Sequence, residues 1–378
     1  MRRLASNSLG TLSSLALFGC QSIIGADFGS VQAAKVCVPL HAPTRPADLP
    51  MATDTVDFTV VLDELAFGDD GPDAGASRSV GYDQDGVCTV PGGPPSCKAY
   101  PWLDAKPLLD GDDGRDDAVG GLFAAQKAVF GGALIGSDEE NAGVMAGTSA
   151  PPGVLRVRGF SGLATDDHVV VELFQAAALD FGDSAELADG GMRRPALDAT
   201  DHWPIVRATL TEDDAGTDVA SSQRDDDAFV VDSTLVAHFD HLLLPMHNIY
   251  VEVSKAVLSG HLAYDASTGW VLRDGTLAAR ILTDFLLGFV PLATRSTVNV
   301  SLCTDDVANY QVVKKVLCGA ADLPAKDDDP DSSCEFTSLG LGFQSSPASL
   351  GPVVDIVPPP SPCSPDTDPG RDTCATRE

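Results

Sequence analysis

A chain of 378 residues with 44% hydrophobic content is long enough to bury a substantial core, which excludes a wholly disordered protein. Against 24 Lys and Arg stand 55 Asp and Glu, a formal charge of -31 that would repel phosphate backbones and argues against nucleic acid as a direct partner. Of the acids 46 are Asp and 9 are Glu, and Asp suits turns, caps and hard-cation sites better than helix interiors, so a helical bundle is not expected.

In chain order, Arg2 and Arg3 precede a moderately apolar stretch from Leu9 to Phe18, the grammar of an export signal and too short to span a bilayer. It closes on Leu17-Phe18-Gly19-Cys20, which resembles the lipobox of bacterial lipoproteins. That resemblance implies cleavage before Cys20, acylation of its thiol and new amino group, and, with Gln21 rather than Asp following, an outer-membrane lipoprotein in the cell envelope. Each buried acyl methylene adds about 0.8 kcal/mol of membrane affinity, so two or three chains make a permanent anchor. Residues 1–19 are thus expected to be a lipoprotein signal peptide, and 20–55, with Pro39, Pro43, Pro46 and Pro50, an extended tether.

A β-rich body is expected over 56–357, with a subdomain boundary near 148–153. Val56, Phe58, Val60 and Leu62 open it with period-two alternation. Asp116 and Asp117 can cap a helix carrying Val119, Leu122, Phe123, Gln126, Val129 and Phe130 and ending at Gly131-Gly132. Alternation returns in Val154–Arg158, His168–Leu173, Ile205–Leu210, Phe229–Phe239 and Ile249–Val253, and a hairpin is predicted between Val257–Tyr264 and Trp270–Leu272, with Thr276–Leu282 beyond. Thr304-Asp305-Asp306 can cap a second helix with Val307, Tyr310, Val313 and Leu317 on one face, and Leu339, Leu341 and Phe343 form a last strand. The Pro-rich stretch 358–378 reads as a poorly ordered tail. These elements predict a mainly β fold, an antiparallel β-sandwich of jelly-roll type with two or three short helices, stapled by disulfides.

Setting Cys20 aside, Cys37, Cys88, Cys97, Cys303, Cys318, Cys334, Cys363 and Cys374 make an even set of eight, which in an exported chain reads as up to four disulfides. The stiff Pro91–Pro95 turn suggests Cys88 with Cys97, and the Pro- and Asp-rich tail loop suggests Cys363 with Cys374. Cys303, Cys318 and Cys334 would pair among themselves or with Cys37.

The candidate ligand groups are acidic loops. Asp83-x-Asp85-Gly86 and the run Asp110, Asp112, Asp113, Asp116, Asp117 cluster carboxylates that repel one another unless a cation neutralises them. Two readings stand: solvated turns with a helix cap, or calcium. The helix-loop-helix calcium pattern is not met, since Gly114 and Arg115 occupy its fifth and sixth places. Asp225–Asp227 and Asp327–Asp329 read as solubilising loops, and His238, His241 and His247 as surface histidines or, with a bend in the strand, a transition-metal site. Trp102, Trp203 and Trp270 are the residues that could stack on a glycan. Motifs for zinc hydrolysis, a nucleophile elbow, phosphate binding or dinucleotide binding do not occur.

The Cys20–Gly29 segment, Gly81–Cys88 with Cys97, and the Asp110–Gly121 stretch resemble uncharacterised lipoproteins of myxobacterial type, and 16 Arg against 8 Lys fits a high-GC genome. The expectation is an envelope-anchored surface binding or assembly module, held to the membrane by lipid and meeting an envelope protein or glycan. The alternative is an envelope hydrolase acting on glycans through a carboxylate pair.

Overall fold

The structure is a computed structural model describing residues 37–47, 55–68, 79–103, 108–130, 136–179, 194–211, 219–246, 249–298, 302–327, 329–357 and 359–377. The lipobox, Cys20, His247 and Asp328 lie outside the described residues. The chain divides into Met1–Cys37, of which Cys37 alone is described, and Val38–Glu378, the unit described below.

Eight strands form a ring in which every neighbour is antiparallel: β1 (Val56–Ala66), β2 (Val154–Phe160), β3 (Asp166–Phe174), β5 (Arg224–Val231), β6 (Thr234–Met246), β7 (Ile249–Asp265), β8 (Gly269–Leu282) and β10 (Cys334–Pro347). β1 pairs with β2 on one side and with β10 on the other, from Val60↔Pro347 to Ala66↔Gly342. The sheet is therefore closed on itself through β1 and β10, which removes the two free edges that an open sheet would present there. The two-residue strand β9 (Leu323–Pro324) adds to β10, and β4 (His202–Val206) pairs in parallel with β11 (Ser349–Val354) in a separate small sheet.

The alternation predicted from sequence fills the ring. Val60, Leu62, Leu155, Val157, Val169, Val171, Leu235, Ala237, Leu277, Ala279, Leu339 and Leu341 belong to one buried core. Val61 and Val154 point the other way, into a second cluster with Phe174, Ala176, Ile205 and the fully buried Trp203. β1 and β2 thus bury both faces near these residues, which explains why Val60-Val61-Leu62 is a continuous apolar run rather than a strict alternation.

Four α-helices are described: α1 (Ala118–Phe130), α2 (Ser137–Ala146), α3 (Thr283–Val298) and α4 (Val307–Gly319). Among the described residues no helix is long and apolar enough to cross a membrane. Asp117 receives Gly120 N at 3.0 Å and opens α1 as expected. The face of α4 differs from expectation: Tyr310, Lys314 and Cys318 are buried, while Val307 is 61% exposed. The run 148–153, where a boundary was expected, leads from α2 into β2 within one unit.

The disulfides are Cys97–Cys334, Cys303–Cys363 and Cys318–Cys374, and Cys37 and Cys88 are disulfide-bonded as well. The two short-range pairings expected from sequence are thus corrected, and so is the expectation that Cys303, Cys318 and Cys334 pair among themselves or with Cys37, since each bonds a cysteine outside that set. Lys98 N donates to Ser332 O and Cys334 N to Lys98 O, which lays Cys97 beside the start of β10 instead of turning it back on Cys88. The tail is corrected with them: 359–377 is strapped through Cys363 to Cys303, in the loop before α4, and through Cys374 to Cys318 of α4; Cys374 is wholly buried, and Trp102 Nε1 donates to its carbonyl at 2.8 Å.

Candidate functional site

The two acidic loops read separately in the sequence meet in space. Gly81 has φ +90°, and a Cβ there would lie 2.8 Å from Asp116 O and 3.3 Å from the Cα of Gly340 in β10. Only glycine combines that conformation with that approach. It lets the 83–86 turn lie against the start of α1, where Asp116 N donates to Tyr82 O and Gln84 N to Asp116 Oδ2. Tyr82 in turn hydrogen-bonds Ser259 of β7 at 2.6 Å, which fixes the segment to the barrel wall.

One carboxylate oxygen each from Asp83, Asp85 and Asp116 lies within 4.8 Å of the others. Asp83 Oδ1 receives Asp85 N and Gly86 N, whereas its Oδ2 has no hydrogen-bond partner although the side chain is 0% exposed. The exposed His41 stands near it, with Nε2 3.9 Å from that oxygen. Asp85 Oδ1 receives Val87 N, and Asp110 Oδ2 receives Thr89 N at 2.6 Å.

A fifth acid, Asp322, comes from the residue before β9 and accepts from Ser338 N and Ser338 Oγ. Its sequence neighbours, Ala321 and Leu323, gave no hint of an acidic site. Asp112 and Asp113 are exposed in a short 3-10 turn and stand outside the group.

Crowding shows in the acidities. Burial first, then the charges of Asp85, Asp322 and Asp83, pushes the Asp110 carboxyl up to about 8 against the opposing hydrogen bond from Thr89. Burial and neighbouring acids raise Asp322 to about 7 and Asp85 to about 6, and hold Asp116 well above the usual carboxylate range. Arg280 moderates Asp85 but is itself engaged by Asp327 and Gln84 O.

Asp110, Asp116 and Asp322 line a cavity of about 280 Å³ whose wall is otherwise mainly apolar, with Leu108, Leu109, Leu122 and Val316. The arrangement can neutralise itself in two ways, by retaining protons or by accepting a cation. Its all-oxygen donor set suits a hard cation such as calcium or magnesium.

The other sequence candidates fall elsewhere. His238 is exposed and stacks on Phe229, and His241 lies 3.4 Å from Glu252, so among the described residues the histidines join no metal-ligating group. Asp225 to Asp227 begin β5, and Asp327 is bound by Lys255 and Arg280. Trp203 is enclosed in the second cluster, Trp102 holds the tail, and Trp270 packs edge-on to Phe160 at 5.0 Å. Comparison with known proteins gives no match to a family model, to a curated protein or to a solved structure.

Proposed function

We propose that this chain is an envelope lipoprotein, anchored by acylated Cys20 to the outer membrane, whose disulfide-stapled barrel serves as a binding or assembly module. The observation that carries the reading is the cysteine set: all eight cysteines beyond Cys20 are disulfide-bonded, as suits an oxidising compartment, and the ninth stands in the lipobox. With Arg2 and Arg3 removed the charge falls from -31 to -33, so an anionic membrane surface would push the body away and the lipid must do the holding.

Glycan hydrolysis draws support from the apolar cavity beside Asp110. Two features weigh against it. A retaining pair needs two carboxyl groups about 5 to 5.5 Å apart across a sugar, and an inverting pair about 6.5 to 9.5 Å. Here three acids crowd within 4.8 Å, and none of the tryptophans lines the cavity.

Mass spectrometry of the membrane fraction tests the proposal. The expected result is a mature N-terminus at acylated Cys20, no free thiols, and release of a Cys20→Ser variant from the membrane. Unacylated protein in the cytosol with reduced cysteines would overturn it.

A further inference from the structure

We infer that Asp83, Asp85 and Asp116, with Asp110 and Asp322 beside them, form a site for one divalent hard cation, calcium. Geometry carries this first. A calcium ion holds oxygens at about 2.3 to 2.6 Å, so ligands on opposite sides of it stand about 4.8 Å apart at most for a typical bond near 2.4 Å. The three carboxylates meet that limit. Asp112 and Asp113, in the same acidic run, are exposed and stand outside the group.

The second observation is independent of the clustering. Asp83 Oδ2 is enclosed by protein and has no hydrogen bond, although burying a polar atom without a partner is costly. The other oxygen of the same carboxylate takes two backbone N–H groups, so the loop already satisfies half of the group and leaves half for something else. The nearby Thr89 hydroxyl is also buried without a partner.

Calcium rather than magnesium follows from how the ligands are held. They come from a turn, a loop and a helix start whose spacing is set by backbone contacts, and calcium tolerates such irregular shells of six to eight oxygens. Magnesium demands a near-ideal octahedron at about 2.0 to 2.1 Å and sheds water reluctantly. Bound calcium would tie the 83–86 turn to α1 and, through Asp322, to the start of β9. The adjoining cavity gives water access to complete the shell.

The test uses the full-length protein, stripped with chelator and then titrated with calcium chloride or magnesium chloride. Calorimetry and thermal unfolding are read together. One calcium per chain is expected, with the melting temperature rising by about 5 °C at a hundredfold excess over Kd and magnesium giving less than half that rise.

Asp83→Asn should abolish the calcium-dependent rise, while Asp112→Asn, outside the group, keeps it. Asp116→Asn relieves repulsion, so without calcium it should melt at or above the parent temperature while losing the response. No calorimetric binding and no shift with calcium would mean that protons alone neutralise the cluster, and would overturn the inference. So would equal responses to calcium and magnesium.

Discussion

Lys314 Nζ lies 2.9 and 2.7 Å from the two carboxylate oxygens of Asp372, with the lysine side chain 0% exposed and the aspartate 14%. Tyr310 OH donates to the same carboxylate at 2.6 Å. One buried helix face thus clasps the end of the tail, between the disulfides that Cys363 and Cys374 make to Cys303 and Cys318.

Breaking this clasp from one side should be costly, because it strands the other charge. Asp372→Asn is expected to lower stability by about 3 kcal/mol, near the lower end for a broken buried pair since Tyr310 keeps a partner. The double variant Lys314→Met, Asp372→Asn should recover part of the loss. Denaturant midpoints of the three proteins check this, and a double variant worse than the single would contradict it.

The same pair sets an acid limit. Burial alone would raise the Asp372 carboxyl, but hydrogen bonds from Lys314, Tyr310 and Thr373 N outweigh it and hold the group below its ordinary value. A lowered folded value means that the stabilisation is present above the unfolded pKa of about 3.9 and fades as pH falls through the folded one. Loosening of the tail is therefore expected only below about pH 4, read as hydrogen-exchange protection of 363–374. Loosening between pH 5 and 7 would point to another group.

The disulfides should rank by the chain they close. Cys97–Cys334 spans 237 residues, against 60 for Cys303–Cys363 and 56 for Cys318–Cys374. In the chain-entropy account the longer loop is favoured by about 1 kcal/mol. Replacing Cys97 and Cys334 together by Ser should lower the melting temperature more than replacing Cys303 and Cys363 together or Cys318 and Cys374 together.

Much of the barrel was readable because alternation along a strand is a local signal, and residues such as Val60, Leu62, Leu155 and Val157 took their predicted places. What failed was long-range or locally disguised. The run Phe229–Phe239 is two strands, because Asp232 and Ser233 both adopt positive φ, 48° and 62°, in a hairpin turn without the usual glycine. Helix α3 escaped because Pro291 interrupts an apolar stretch that continues β8. Lys314 defied its residue type, since its partner is 58 positions away. Of the acidic site, Asp83, Asp85, Asp110 and Asp116 were legible as carboxylates near glycines. Asp322 was not, and no local pattern could have shown that the two loops share one place.

Gly81 is the test of that convergence. An alanine there would need φ near +90° and a Cβ 2.8 Å from Asp116 O, so Gly81→Ala should cost about 1 to 3 kcal/mol and move the turn off α1. The melting temperature should fall, and the response to calcium should weaken with it. A variant as stable and as calcium-responsive as the parent would show that the two loops do not depend on this approach.

Glu172 offers the last prediction. It is wholly buried on β3, opposite Arg156 of β2 and Arg224 of β5 in the two registers. Arg156 Nε donates to Glu172 Oε2 at 2.8 Å, and Ser221 N to Oε1. The acid therefore stitches three neighbouring strands across one face. The guanidinium of Arg156 has a second acceptor in Val219 O and stacks over Phe174 at 4.9 Å, so it cannot leave cheaply when the acid is removed. Glu172→Leu should cost about 3 to 5 kcal/mol by leaving a confined cation without its counter-charge. Glu172→Gln keeps the shape and the acceptor oxygen, so it should cost less. The order parent, Gln, Leu in denaturant midpoint checks the argument. Equal midpoints for all three would mean that the barrel closes without this ladder.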